Sequence, residues 1–461
     1  LRDGNEVPGV NTAPGGVRKL GLHQIATVKI VNSTIGTIGP NAFHGLQDLY
    51  AVNLSNNKLR SLHPETFANN KKLLLLTLSN NPLKFPAPNT QDYFLNASSV
   101  QELDVSYCNM QFITPNSFKN LPSVMYLNVA GNNLSEMDPD TFKKLLDLEE
   151  LDLSDNNIQS LPNDIFSENT ELATLHIQRN PIDTVYDLQF VGPSMFNGMT
   201  YIANLNLSGN NIEKIHNQAF HKLIELNYLD LSYNNLDFIS SILIKENIEL
   251  DIFKISNNPR LKKLPEDGFN SNNMLTTLDV KIFEKNTELG RLNLQGNPIK
   301  VFSVEVFLHT PMLQWLDVSH AELTALWRLD KNHPKTLLNN LSFLNVSHNR
   351  ISEIKQSEVE NLNKLRTLDI SNNPMACGRE FENLMSWLSK HKVSPNGESA
   401  SIANLARDAK EEEGSYSWEF LTKKTCGSAI IHPVERCESR GQPYLRTCNI
   451  NSCCNCYVSS K

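Results

Sequence analysis

The sequence predicts an α/β solenoid, a curved horseshoe with a concave parallel sheet of short strands and a C-terminal cap. Three observations predict it. An eleven-residue pattern, apolar at positions 1, 4, 6 and 11 with an amide at position 9, recurs about every 24 residues from Ile25 to Met375. A phenylalanine keeps a fixed distance ahead of most copies. The cysteines crowd on the C-terminal side of the last copy. A short fixed period means units that cannot bury their apolar sides alone and must stack to build a continuous core.

The segment Leu148 to Ile158, LEELDLSDNNI, shows the pattern whole: Leu148, Leu151, Leu153 and Ile158 are apolar, and Asn156 is the amide. Copies start at Ile25, Leu49, Leu73, Val100, Val124, Leu148, Leu172, Ile202, Leu226, Leu250, Leu275, Leu289, Leu313, Leu341 and Leu365, fifteen starts in all. Most neighbours are 24 residues apart; the exceptions are 27 after Leu73, 30 after Leu172, 25 after Leu250, 14 after Leu275 and 28 after Leu313. Position 9 is asparagine in eleven copies: Asn57, Asn81, Asn132, Asn156, Asn180, Asn210, Asn234, Asn258, Asn297, Asn349 and Asn373, with Cys108 replacing one more. An amide there can bond backbone groups of neighbouring turns and run as a ladder down the stack. Phe43, Phe67, Phe94, Phe118, Phe142, Phe166, Phe196, Phe220, Phe269, Phe283 and Phe307 each stand six residues before a start, which predicts one column of rings along the outer side.

These features divide the chain into residues 1–16, a Gly- and Pro-rich edge expected to be poorly ordered; 17–376, a solenoid of about 15 units; 377–426, a C-terminal cap; and 427–461, a Cys-rich tail. Long units carry inserts at DTVYDLQFVGPSM, after Pro82 and from Trp327 to Pro334. Such inserts loop out on one face and are either functional or neutral. The unit at Leu275 is too short for a full circuit, and the expectation is a local kink or flattened coil, a sequence fault being the plain alternative.

Positions 2, 3, 5, 7 and 8 are expected to point away from the core and line the concave side. Tyr107 and Tyr126 lie there on adjacent units, Tyr228 and Tyr233 share a unit, and Trp315 and Phe343 are one unit apart. Exposed Tyr and Trp on a rigid face are typical interface anchors. Position 5 includes His176 and six Asp residues, Asp152 among them, and the Asp residues form either an acidic docking stripe or a mere habit of the L-D-L-S strand. His320 and His348 both occupy position 8 and could stack and respond to pH, with solvated surface histidines as the other reading.

The net charge is −8, and no basic stripe appears, so nucleic acid is not the expected partner. No run of 18 or more apolar residues exists, so no transmembrane segment is expected. No nucleophile elbow, phosphate loop or H-E-x-x-H occurs, and the Ser, His and Asp residues follow the repeat; the chain is not expected to be an enzyme and no cofactor is implied. Cys377, Cys426, Cys437, Cys448, Cys453, Cys454 and Cys456 suggest an oxidising compartment and a secreted, disulfide-bonded glycoprotein. Sequons stand at Asn32, Asn53, Asn96, Asn133, Asn206, Asn340 and Asn345. N-L-S arises from the strand template itself at Asn53 and Asn206, so Asn96 and Asn340 are the better acceptors. Starting at Leu1, the chain reads as either a mature protein or a fragment.

The pattern L-x-x-L-x-L-x-x-N-x-L in units with Phe, over about three-quarters of the chain, resembles the extracellular leucine-rich-repeat family. Repeats of the type NLSNNKLRSL and the helical W-L segment near the C-terminus are similar to arthropod Toll-like receptor ectodomains and secreted leucine-rich immune proteins. NPMACGREFENLMSWLSKHK, with Phe381, Leu384, Trp387 and Leu388 at helical spacing, resembles that family's C-terminal flanking cap. Cys377 matches the cap's first cysteine, Arg379 stands where a second would be, and Cys426 is a plausible mate for Cys377. The family's usual Cys-rich N-terminal cap is not seen. The tail holds five cysteines, an odd count that leaves a thiol for a disulfide-linked dimer; it has no C-x-x-C pair with zinc spacing, so no metal is expected. The resemblance implies a non-enzymatic extracellular scaffold whose concave face engages a protein ligand or co-receptor, or a glycan or lipid, in innate immune recognition or receptor signalling. The alternative is a cell-surface adhesion or guidance protein truncated before its anchor.

Overall fold

The computed structural model describes residues 24–87, 90–162, 164–182, 184–185, 196, 198–261, 281–300, 303–327 and 337–395, with single positions at 418, 422 and 426. Fourteen strands of three residues make one parallel sheet in chain order. They are β1 (Thr27–Lys29), β2 (Ala51–Asn53), β3 (Leu75–Thr77), β4 (Glu102–Asp104), β5 (Tyr126–Asn128), β6 (Glu150–Asp152), β7 (Thr174–His176), β8 (Asn204–Asn206), β9 (Tyr228–Asp230), β10 (Ile252–Lys254), β11 (Arg291–Asn293), β12 (Trp315–Asp317), β13 (Phe343–Asn345) and β14 (Thr367–Asp369). Each strand occupies positions 3 to 5 of its copy. The middle residue turns inward and is buried, as at Val52, Leu103, Leu151 and Leu316, while its two neighbours face the concave side.

The sheet corrects one expectation. β10 pairs directly with β11, Phe253 against Leu292, so the Leu275 copy opens no strand between them. Paired strands lie about 4.8 Å apart, which leaves no space for a further rung. The paired strands are 39 residues apart in sequence where most neighbours are 24 apart, a surplus of 15. The hydrogen bonds carry the same surplus: Asn297 donates to Ile255 O, 42 residues back, where Asn57, Asn81 and Asn156 reach 27 residues back. Residues 262–280, with Phe269 and Leu275, lie outside the described residues, as do residues 1–23, most of the DTVYDLQFVGPSM and Trp327–Pro334 inserts, and residues 427–461 with their five cysteines.

Two columns hold the coils together. Ten of the predicted phenylalanines are described, and all are buried, with Phe43 and Phe67 stacked at 4.9 Å and Phe142 and Phe166 at 5.6 Å. Beneath the strands the position-9 amides form a ladder. Asn57 Nδ2 donates to Ile30 O and Leu54 O, and Asn57 Oδ1 accepts from Ile35 N. Cys108 fits the same slot because its thiol donates to Leu78 O and Ser106 O at 3.3 Å; burial pushes that thiol up to about 12, so the proton stays on.

At the C-terminal side, α1 (Gln356–Val359) is followed by α2 (Arg379–Lys390), whose buried residues Phe381, Leu384, Met385, Trp387 and Leu388 join the same core. The chain then returns to the sheet edge: Ser394 N donates to Arg366 O and Leu368 N to Ser394 O. Cys377 and Cys426 form a disulfide with Cα atoms 5.2 Å apart, and Trp418 Nε1 donates to Val393 O.

Candidate binding surface

The concave face is set by what each coil does after its strand. In ten coils the position-5 side chain is Asn or Asp, and its Oδ1 accepts the N–H two residues on, at 2.8–3.0 Å, from Asn53 to Asp369. An Asx side chain folding onto its own backbone is a turn former. The Asp stripe is thus structural in origin; Asp152, for example, accepts from Ser154 N at 2.8 Å. In seven of these ten coils position 7 is also tucked under the sheet, correcting its expected exposure: Ser106 is 6% exposed, Ser154 3% and Ser319 1%. Of the fourteen position-5 residues, Lys29, Thr77, His176 and Lys254 stand outside this turn pattern.

Position 8 follows with φ between 51° and 71° in all fourteen coils. That left-handed backbone costs an ordinary residue about 1–2 kcal/mol and suits Gly, Asn and Asp. Nine coils obey: Asn32, Asn56, Asn80, Gly131, Asp155, Gly209, Asn257, Gly296 and Asn372. Five do not: Tyr107, Arg179, Tyr233, His320 and His348. Strained residues of this kind collect at sites that function demands.

Glycine makes space for two of them. A Cβ on Gly131 would lie 2.2 Å from the Tyr107 ring, and one on Gly209 would lie 3.0 Å from Arg179 Cγ. The Tyr107 ring lies across Gly131, beside Asp155. Arg179 grips that carboxylate with Nε and Nη2, both at 2.5 Å, and holds it below the usual carboxylate range. Tyr107, Gly131, Asp155 and Arg179 thus occupy position 8 of the four successive coils of β4 to β7, the last two joined by an ion pair. Sequence reading missed Arg179, although its place at position 8 was the signal.

The other candidates divide by surroundings. Tyr233 is the most exposed, at 64%, followed by Tyr107 at 53% and Tyr126 at 39%. Tyr126 donates to Glu149 Oε2, which raises its phenol pKa. Tyr228 is half-buried instead: its hydroxyl donates to Asp230 Oδ2 at 3.0 Å, Lys254 Nζ lies 4.8 Å above its ring, and burial raises its pKa. Concave aromatics thus also pack within the chain, there and at Trp315 and Phe343, which stack on each other at 5.1 Å with planes 5° apart. On the same two coils His320 and His348 stack at 4.0 Å. Burial, then the neighbouring His320, pull His348 below the usual histidine range, against the opposing pull of Asp369. His176 Nε2 lies 3.9 Å from Glu150, and its buried Nδ1 has no partner. Asp317, between the stacked pairs, is raised by burial. Among the described residues no three His, Cys, Asp or Glu are placed to hold a metal, and no helix is long and apolar enough to cross a membrane.

Comparison with known proteins agrees with this geometry. The family described as "Leucine rich repeat" matches residues 23–83, 99–121, 122–182, 186–236 and 268–323, more than half of the chain. Tsukushi of Gallus gallus is 26% identical over 197 residues, covering 43% of this chain and 40% of that protein. Among solved structures, TLR13 in its complex with ssRNA13 is similar with a TM-score of 0.65 and 22% identity, covering 81% of this chain and 50% of that one. A Leptospira interrogans leucine-rich-repeat protein is similar with a TM-score of 0.60 and 22% identity, covering 84% of this chain and 93% of its own. The aligned region thus spans under half of the curated relative and half of the TLR13 chain; at these identities the structural likeness is one of fold. On the repeat, the sheet and the family match together, the chain belongs to the leucine-rich-repeat family.

Proposed function

We propose that this protein is an extracellular recognition scaffold that engages a protein partner through its concave face, in innate immune recognition or receptor signalling. One observation carries the reading: Tyr107 and Tyr233 stay exposed on a rigid sheet at positions whose backbone favours glycine or asparagine. A bulky aromatic held at a conformational cost contributes to something other than folding. Large rigid aromatic surfaces are what protein interfaces use as anchors. The Cys377–Cys426 disulfide supports an extracellular setting.

The same reading orders the sequons. Asn53, Asn206 and Asn345 commit Oδ1 to the strand turn. Glycans therefore belong at Asn32, Asn96, Asn133 and Asn340, away from that turn. The segment after Cys377 acts as the cap that covers the last strand, since solenoid ends need one.

The test presents the secreted full chain to a panel of extracellular proteins displayed in multivalent form. Tyr233→Ala and Trp315→Ala are expected to abolish the interactions found, and Leu146→Ala, exposed in the turn before β6, to keep them. Interactions that survive both concave substitutions would overturn the proposal.

A further inference from the structure

The concave surface of β2 to β6 differs from the rest of the sheet. The Cα register aligns Ala51, Leu75, Glu102, Tyr126 and Glu150 across five strands. One position earlier runs the row Tyr50, Leu74, Gln101, Met125 and Glu149. The β2–β3 end is apolar: Tyr50 is 46% exposed, and Leu74 and Leu75 are half-buried. The β4–β6 end carries carboxylates on both sides of a tyrosine, Glu102 and Glu150 flanking Tyr126. No lysine or arginine occupies positions 2, 3, 5, 7 or 8 of these five coils. Among the described residues the ion-pair partner of Glu150 is His176 at 3.9 Å, and Glu102 forms no ion pair.

We propose that this surface docks a cationic, amphipathic polypeptide segment lying across the strands, a partner class that rests on the concave-face reading above. Its apolar residues sit on Tyr50, Leu74 and Leu75. Its lysine or arginine sits over the Tyr126 ring between Glu102 and Glu150. An aromatic face flanked by carboxylates suits an ammonium or guanidinium through ring and charge together. Four strand spacings give about 19 Å, the length of about six extended residues. The charge complementarity decides the occupant: the same face repels an acidic segment or a phosphate backbone, and a second copy of this chain is itself acidic, at −8.

The probe is a short fluorescent peptide of alternating lysine and leucine, with its glutamate–leucine counterpart, titrated against the intact protein. The lysine peptide is expected to bind, more weakly as salt rises, and the glutamate peptide not to bind. The double variant Glu102→Gln/Glu150→Gln is expected to weaken binding roughly tenfold, about 1.4 kcal/mol. The matched variant Glu168→Gln/Glu171→Gln, two exposed carboxylates elsewhere, is expected to leave it unchanged. Equal weakening by both double variants would mean general attraction of a polycation and overturn the proposal, as would no binding at all. Trp315→Ala separates the two readings. If panel interactions depend on Trp315 while the lysine peptide fails to bind, this inference falls and the concave-face reading stands. If the peptide binds through Glu102 and Glu150 while no panel interaction depends on concave residues, the reverse holds.

Discussion

Replacing Asn156 with alanine tests the ladder that joins the coils. Asn156 is 5% exposed; its Nδ2 donates to Val129 O at 3.1 Å and to Leu153 O and Ser154 O at 3.0 Å, and its Oδ1 accepts from Leu134 N at 3.1 Å. Two N–H groups shared among three carbonyls, with one bond accepted, amount to about three full bonds, or about 3 kcal/mol net. Leu134 N is then left buried without a partner, and that desolvation takes the expected loss toward 5 kcal/mol. Asn156→Cys is expected to lose less, because Cys108 already fills this slot with an S–H donor. In a stacked array each coil touches only its neighbours, so the loss concentrates locally. Hydrogen exchange of the Leu134 and Asn157 amides, beside urea unfolding, reads it. A loss below about 0.5 kcal/mol, or a cysteine variant as damaged as the alanine, would refute the ladder argument.

Three further outcomes are expected. Leu153→Ala, at a fully buried position, loses about 2–5 kcal/mol in urea unfolding, and a loss near zero would contradict the repeat register. Tyr233→Asn, which suits the φ of 58°, gains about 1 kcal/mol in stability while weakening partner binding; unchanged binding would remove Tyr233 from the surface. For His348, the folded protein favours the neutral ring, so its stabilising contribution is present above the ordinary value of 6.5 and is lost as pH falls through the lower folded value. His348→Gln should flatten the stability profile between those two values, and an unchanged slope would show that His348 does not contribute to it.

Period made the solenoid readable from the sequence. Fourteen of the fifteen starts open a described strand, because position 4 must be apolar wherever a strand faces the core; Leu275 lies outside the described residues. At Leu275, Leu278 and Val280 repeat the pattern locally, while the pairing of β10 with β11 joins residues 39 apart. The surface was less legible. Position 7 looks polar and therefore exposed, but a Ser under an Asx turn is buried with its backbone satisfied. Residue type alone does not separate Tyr228, tied to Asp230 and Lys254, from Tyr233, which faces solvent five residues later. The left-handed backbone at position 8 is a conformational fact that no hydrophobic pattern encodes. It brings Arg179, His320 and His348 into view beside the tyrosines.

The most direct measurement places a photo-reactive phenylalanine at Tyr233 in one secreted protein and at Leu146 in another, and exposes each to extracellular proteins from its own source. The concave-face account predicts a discrete cross-linked partner from position 233 and none from position 146. A partner captured from position 146 alone would contradict it.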